Sequence, residues 1–85
     1  MGLDSVDIIR KIEHALHINI PNKEAATIVT IANLYDVVWK NISNNNETNR
    51  KTVEAIINQI VANVAGVELH EIQPYKKLTD DLGID

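Results

Sequence analysis

The chain has 85 residues, of which 45% are hydrophobic, and it carries 8 basic and 12 acidic side chains but no cysteine. A chain of this length forms one small domain that buries about 60–65% of its extended surface, and the lack of cysteine excludes disulfide scaffolds, thiolate zinc sites and catalytic thiols. The net charge of −4 disfavours nucleic acid and anionic membranes and suits basic protein partners.

Hydrophobic patterning gives no sign of a membrane segment. No apolar run approaches the ~20 residues that a membrane-spanning helix needs, and no signal peptide is recognisable. We therefore expect a cytoplasmic protein made of a single domain, residues 1–85.

The first predicted element is a helix over residues 5–18. Apolar side chains recur there at helical spacing: Val6, Ile9, Ile12 and Leu16. Asp4 or Ser5 can cap this helix, because short oxygen-bearing side chains accept from the unpaired N–H groups of a first turn. Ile20-Pro21 should end the segment, since a residue before proline avoids helical angles.

Two further helices are predicted before residue 43. Residues 22–29 suit a short helix that begins at Asn22. Thr30 then has the character of an N-cap for the next helix. The apolar stripe of that helix comprises Ile31, Leu34, Tyr35, Val38 and Ile42.

A polar, asparagine-rich linker at 43–49 precedes the strongest helical pattern, residues 50–65. Its wide apolar stripe comprises Val53, Ile56, Ile57, Ile60, Val61 and Val64. Gly66 stands where a left-handed residue would terminate this helix.

Residues 67–85 predict a long ordered loop around Pro74, with one helical turn near 75–81. Its apolar anchors are Val67, Leu69, Ile72, Tyr75, Leu78 and Leu82. No segment alternates with the period of two that marks a strand. The expected fold is therefore an all-α bundle of three main helices and one short one.

Metal binding and catalysis are weakly indicated. His14 and His17 lie three residues apart beside Glu13, but a third ligand would have to come from the distant His70, so solvated histidines are favoured and no metal is predicted. Ser5 has neither a histidine nor elbow glycines near it in sequence, so no catalytic residue and no enzyme activity are predicted.

The remaining polar and aromatic candidates have ordinary structural explanations. Asp80-Asp81 lacks the alternating oxygen ligands of a calcium loop and is expected to be a solvated acidic turn. Tyr35 and Trp39 are expected in the core or at the bundle edge.

Ser5 has a second interpretation besides helix capping. Residues 2–9 read GLDSVDII, and a D-S-[VLI]-D segment at the start of an apolar helix resembles the phosphopantetheine-attachment motif of acyl carrier proteins. Residues 20–38, IPNKEAATIVTIANLYDVV, look like the third and fourth helices of that family. The likeness runs in one register through residues 2–42, which would comprise the family's second to fourth helices.

Residues 50–85 resemble the family's first helix and the long loop that leads to the serine, but here they follow that serine. The chain thus resembles a circular permutant with helix order II-III-IV-I, or one unit of a tandem array cut inside its repeat. The triplets Gly-Leu-Asp at 2–4 and Gly-Ile-Asp at 83–85 fit either origin. The permuted site is complete only if residues 80–85 fold back beside Ser5.

The linker length permits closure within one chain. Seven residues reach at most about 23–25 Å, whereas neighbouring helix axes lie roughly 10 Å apart. A monomer is expected, and a domain-swapped dimer is the alternative.

The resemblance implies a function for Ser5. A phosphopantetheinyl transferase would attach the 4′-phosphopantetheine of CoA to Ser5, and Asp4 would be part of the attachment motif. The attached arm would carry acyl groups as thioesters. It would present them to acyl-transferring and synthase enzymes, as in fatty acid biosynthesis. Candidates for an acyl pocket between the helices are Val6, Ile9, Leu34 and Ile60. Alternatives are a peptidyl, aminoacyl or polyketide carrier, or a helical interaction module that is never modified.

Overall fold

The computed structural model describes residues 3–42 and 49–85, and in these residues it contains four α-helices and no β-strand. The helices are α1 (Leu3–Leu16), α2 (Asn22–Ala25), α3 (Ile31–Lys40) and α4 (Arg50–Ala65), followed by a one-turn 3₁₀ helix at Leu69–Glu71. The predicted all-α fold of three main helices and one short helix is therefore confirmed. Residues 43–48 of the predicted linker lie outside the described residues.

The core forms around α4, which packs against α1, α3 and the 3₁₀ helix. The fully buried side chains come from all three long helices and from the last residues of the chain: Ile8, Ile12, Ile31, Leu34, Val38, Val53, Ile57, Val61 and Ile84. The predicted stripe of α1 omitted Ile8, which is buried, and included Val6 and Leu16, which are half-buried. The buried face of α1 is thus centred on Ile8 and Ile12, which are one helical turn apart.

Helix α1 begins and ends two residues earlier than predicted. Asp4 and Ser5 lie inside the helix, so neither is its N-cap, contrary to the sequence-based expectation. At the other end His17 adopts a left-handed conformation with φ of 55°. The N–H of Ile18 then donates to the carbonyl of Glu13 at 3.1 Å, which satisfies a carbonyl of the last turn in the manner of a Schellman motif.

The predicted start of α3 is confirmed in atomic detail. The hydroxyl of Thr30 accepts from the N–H of Asn33 at 3.1 Å, and the side-chain oxygen of Asn33 accepts from the N–H of Thr30 at 2.9 Å. This reciprocal capping box satisfies donors that would otherwise lack partners. Ile42, assigned to the stripe of this helix, lies beyond its end at Lys40.

Both ends of α4 match the sequence-based bounds. The Asn49 side chain caps its start by accepting from the N–H of Lys51 at 2.8 Å. Gly66 follows its end with φ of 71° and ψ of 32°, the left-handed conformation that glycine adopts without steric cost.

Arg50 joins the start of α4 to α3. Its guanidinium lies 2.7 Å from a carboxylate oxygen of Asp36 and 3.0 Å from one of Glu54, and its Cζ is 6.0 Å from the centre of the Trp39 ring. Hydrogen bonds to these two carboxylates raise the pKa of Arg50 above its ordinary value. These contacts bring α3 and the start of α4 side by side.

The segment after α4 differs from the prediction in two respects. Its one helical turn lies at Leu69–Glu71, whereas residues 77–82 form hydrogen-bonded turns in place of the helical turn expected near 75–81. The reason is that this backbone bonds elsewhere. The carbonyl of Lys76 accepts from the N–H of Ile31 at 3.0 Å, and the N–H of Leu78 donates to the carbonyl of Val29 at 3.0 Å.

Two of the predicted apolar anchors are exposed. Leu69 is 50% exposed and Tyr75 is 72% exposed, while Ile72, Leu78 and Leu82 are buried and Val67 is half-buried. Tyr75 follows Pro74 in a turn, and its ring lies 5.7 Å from the ammonium of Lys76 at the surface. An isolated apolar residue in an irregular segment has no periodic neighbours, so its sequence alone does not reveal whether it points inwards.

Within the part of the chain that the structure describes, no helix combines the length and apolar character needed to cross a membrane.

Candidate functional site

Ser5 lies in the first turn of α1 and is half-buried. Its N–H donates to the carbonyl oxygen of Asp85 at 2.8 Å, and its hydroxyl donates to the same oxygen. Asp4, the neighbouring motif residue, is exposed. The last residues of the chain therefore lie beside Ser5.

Three features bring residues 78–85 to this position. Leu78, Leu82 and Ile84 are buried, and Ile84 is only 1% exposed. Gly83 takes a φ of 68°, a left-handed conformation that lets the chain reverse. The reversal is held by hydrogen bonds within the segment, from the N–H of Ile84 to the carbonyl of Leu78 at 2.9 Å and from the hydroxyl of Thr79 to the carbonyl of Ile84 at 2.9 Å.

An open cleft of about 300 Å³, which we name the Ser5 cleft, adjoins Ser5. It lies between the start of α1, the two residues before Thr30, and the last segment of the chain. Its lining comprises Ser5, Ile28, Val29, residues 77–80 and Asp85. Val29 is 55% exposed, so part of the cleft lining is accessible apolar surface.

Of the two clefts formed by residues 3–42 and 49–85 that are described here, neither is lined by all four predicted acyl-pocket residues. Val6 and Ile9 line a second cleft of about 260 Å³, together with residues of the loop that joins α1 to α2 and of α2 itself. Leu34 is fully buried and Ile60 is half-buried, and neither lines this cleft or the Ser5 cleft. The acyl pocket stays a prediction.

Glu13 lines the second cleft and links two of its sides. Its carboxylate accepts from the N–H of Ile20 at 2.7 Å, which fastens the loop before α2 to the last turn of α1. Arg10, one helical turn earlier, is exposed at the edge of the same cleft.

The other candidates occupy separate places. His14, His17 and His70 are exposed, and no group of three metal-ligating side chains occurs among residues 3–42 and 49–85. Asp81 is exposed, and its carboxylate accepts from the N–H of Lys77 at 2.8 Å, so it stabilises a turn.

Tyr35 and Trp39 lie as predicted, in the core and at the bundle edge respectively. The Tyr35 hydroxyl donates to the side-chain oxygen of Asn58 on α4. Burial raises the pKa of Tyr35 above its ordinary value, and the nearby carboxylate of Glu54 adds to this rise.

Sequence reasoning did not single out Lys77, Val29 or the carbonyl of Asp85 as parts of the site. The resemblance of residues 80–85 to a loop that leads into the serine motif was the sequence signal that could have indicated Asp85. Lys77 and Val29 had no such signal, because they reach Ser5 through the pairing of residues 76–78 with residues 29–31.

The fold and this site define a small all-α protein with a serine at the start of a helix, flanked by an open cleft and by a returning segment from the far end of the chain. No family model, curated protein or solved structure matches this chain.

Proposed function

We propose that this protein is a carrier whose Ser5 hydroxyl is esterified with 4′-phosphopantetheine from CoA. The observation that carries the proposal is the position of Ser5, in the first turn of α1, at the edge of an open cleft and against residues 78–85. When bound, the arm supplies a terminal thiol that holds an acyl group as a thioester.

The start of α1 suits a phosphodiester. A phosphodiester keeps one negative charge, and the N-terminal end of a helix bears a partial positive charge that favours anions within its first turn. Ser5 is the third residue of α1, so a group on its hydroxyl oxygen stays within that turn.

The hydroxyl is already oriented by its hydrogen bond to Asp85. As a donor in this bond the oxygen keeps its lone pairs, which are the electrons that attack phosphorus. In the loading reaction the Ser5 oxygen bonds to the phosphorus nearer the pantetheine, the bond from that phosphorus to 3′,5′-ADP breaks, and the serine proton leaves to solvent or to the transferase. The protein gives up its hydroxyl donation to Asp85 in this step.

The protein itself would catalyse nothing. A tethered cargo meets each partner enzyme at a high local concentration, set by the length of the tether. The partners would be a phosphopantetheinyl transferase and acyl-transferring and synthase enzymes, as in fatty acid biosynthesis; peptidyl, aminoacyl and polyketide cargoes are the alternatives within the same chemistry. A cytoplasmic location stays a prediction.

A second function is favoured by the same hydrogen bond. Because the Ser5 hydroxyl has a backbone partner, it could act only to hold residues 78–85 against α1 in a helical interaction module. In that case Ser5 would never be esterified.

Loading distinguishes the two functions. The purified chain is incubated with CoA and a broad-specificity phosphopantetheinyl transferase, and its intact mass is measured. We expect a gain of one phosphopantetheine group, abolished in Ser5→Ala and retained in Ser43→Ala, which alters the chain's other serine. No adduct on the folded protein, or an adduct that persists in Ser5→Ala, would refute the carrier function.

We further propose that the carrier is a closed monomer. The packing of α4 on α1 and α3 within one chain supports this. Light scattering over a concentration series should report one chain at all concentrations, whereas a stable dimer would indicate exchange of residues 50–85 between two copies.

A further inference from the structure

The Ser5 cleft has an uneven charge distribution. Its lining includes two acidic residues, Asp80 and Asp85, and one basic residue, Lys77. Asp4 is exposed beside Ser5. A negatively charged group attached to Ser5 would therefore face repulsion from several carboxylates and attraction from Lys77.

The backbone of Lys77 is held firmly beside the cleft. Its N–H donates to the Asp81 carboxylate at 2.8 Å, and its carbonyl accepts from the N–H groups of Asp81 at 3.0 Å and Leu82 at 3.1 Å. Lys77 also pairs with Thr30 in an isolated antiparallel bridge. The root of this side chain is thus fixed relative to α3 and to the wall formed by Val29.

Among residues 3–42 and 49–85, the ammonium of Lys77 has no ion-pair partner. In the described residues the ion pairs join Lys11 to Asp7, Lys40 to Glu24, and Arg50 to Asp36 and Glu54. None of them involves Lys77. The Asp81 carboxylate in the same turn accepts from the backbone N–H of Lys77.

We propose that the Lys77 ammonium is the counter-ion of the phosphodiester on Ser5 and holds the first part of the arm in the Ser5 cleft. This inference rests on the proposed function of Ser5. A phosphodiester monoanion is the ligand class, because a single ammonium matches a single negative charge and the wall of Ile28 and Val29 suits the aliphatic groups that follow the phosphate. Lys77 is a positioning residue that offsets the carboxylates of Asp80 and Asp85.

The test compares loaded proteins by ³¹P NMR. Wild type, Lys77→Gln, Lys77→Arg and Lys51→Gln are each loaded with phosphopantetheine. Lys51 is exposed on α4 and does not line the cleft, so Lys51→Gln removes the same charge elsewhere. We expect the phosphodiester resonance to move in Lys77→Gln, to return towards the wild-type position in Lys77→Arg, and to stay unchanged in Lys51→Gln. At about 1 M salt, where the Debye length is about 3 Å, the difference between wild type and Lys77→Gln should shrink.

Thermal unfolding gives an independent readout. For each variant we take the difference in Tm between the loaded and the unloaded form. In Lys77→Gln the loaded form should lose roughly 1–8 °C in this difference, compared with wild type and with Lys51→Gln. Identical ³¹P positions and identical melting differences in Lys77→Gln and Lys51→Gln would overturn the role of Lys77 while leaving Ser5 as the attachment residue. Failure of wild type to load would overturn the carrier function itself, and the role of Lys77 with it.

Discussion

The N–H of Ser5 donates to the carbonyl oxygen of Asp85 at 2.8 Å, across 80 positions of the sequence, and the Ser5 hydroxyl donates to the same atom. One carbonyl thus receives both donors of a single residue. The contact closes the Ser5 cleft on one side and ties the first turn of α1 to the last segment of the chain.

The hydroxyl half of this contact should contribute little to stability. In Ser5→Ala the N–H of residue 5 still bonds Asp85, and alanine has the higher helix propensity, so we expect the free energy of unfolding to fall by less than about 1 kcal/mol. Urea unfolding followed by circular dichroism measures it. A loss above about 2 kcal/mol would show that the hydroxyl is a main structural link, and Ser5→Ala would then be unsuitable as a loading control.

The packing of the last segment should matter more. Ile84 is 1% exposed, so Ile84→Ala leaves a core cavity and should lower the free energy of unfolding by about 2–5 kcal/mol. Leu69→Ala is the matched control, because Leu69 is half exposed and its truncation should cost less than about 1 kcal/mol. Ile84→Ala should also speed hydrogen exchange at the Ser5 amide. Equal losses in the two variants would show that residues 78–85 do not pack as described.

His17 ends α1 in a conformation that favours glycine. With φ of 55°, a residue bearing a Cβ is strained by about 1–2 kcal/mol. Glycine removes this strain, but it loses more conformational entropy on folding, which offsets part of the stabilisation. We expect His17→Gly to raise the free energy of unfolding by about 0.5–1 kcal/mol, as measured by urea unfolding.

The same replacement inside α1 provides the control for His17. His14→Gly should destabilise the protein by a few tenths of a kcal/mol, because glycine lowers the helix propensity there. Destabilisation by both replacements would contradict a left-handed His17.

Ionisation of Tyr35 should lower the stability of the protein at alkaline pH. Its pKa is raised in the folded state, chiefly by burial, so the folded protein holds the phenolic proton more tightly than the unfolded chain. Protonated Tyr35 therefore makes its full contribution to the free energy of unfolding below about pH 10, the ordinary tyrosine pKa. This contribution is lost as the pH rises through the folded-state pKa of Tyr35.

Two phenylalanine variants isolate this effect. Unfolding in urea at rising pH should show a steeper loss of stability for wild type than for Tyr35→Phe, whose core side chain cannot ionise. Tyr75→Phe, altered at a residue that is 72% exposed, should follow wild type. Parallel pH curves for wild type and Tyr35→Phe would exclude the raised pKa of Tyr35.

The helices were predictable to the extent that their signals are local. Residues 50–65 were expected from their apolar spacing, and α4 runs from Arg50 to Ala65. Thr30 and Gly66 mark helix ends through their own side chain or backbone freedom, so their positions needed no distant partner. The start of α1 was misplaced because its first turn bonds Asp85, which the neighbouring residues do not reveal.

The irregular segment was the least predictable. Leu69 and Tyr75 were expected to be apolar anchors and are exposed. The backbone of Lys76 and Leu78 bonds to residues 29–31, and residues 77–82 form hydrogen-bonded turns without a regular helix. A segment without periodicity satisfies its backbone groups wherever the rest of the fold presents donors and acceptors.

By itself the sequence determined the all-α class and the order and approximate bounds of the helices. It also placed Ser5 at the start of an apolar helix. These properties depend on side-chain spacing and capping over a few residues. Only the tertiary structure decided that Ile84 is buried, that Asp85 receives both donors of Ser5, and that Lys77 lines the same cleft. Such contacts join residues far apart in the chain, and the burial of a shared core brings them together.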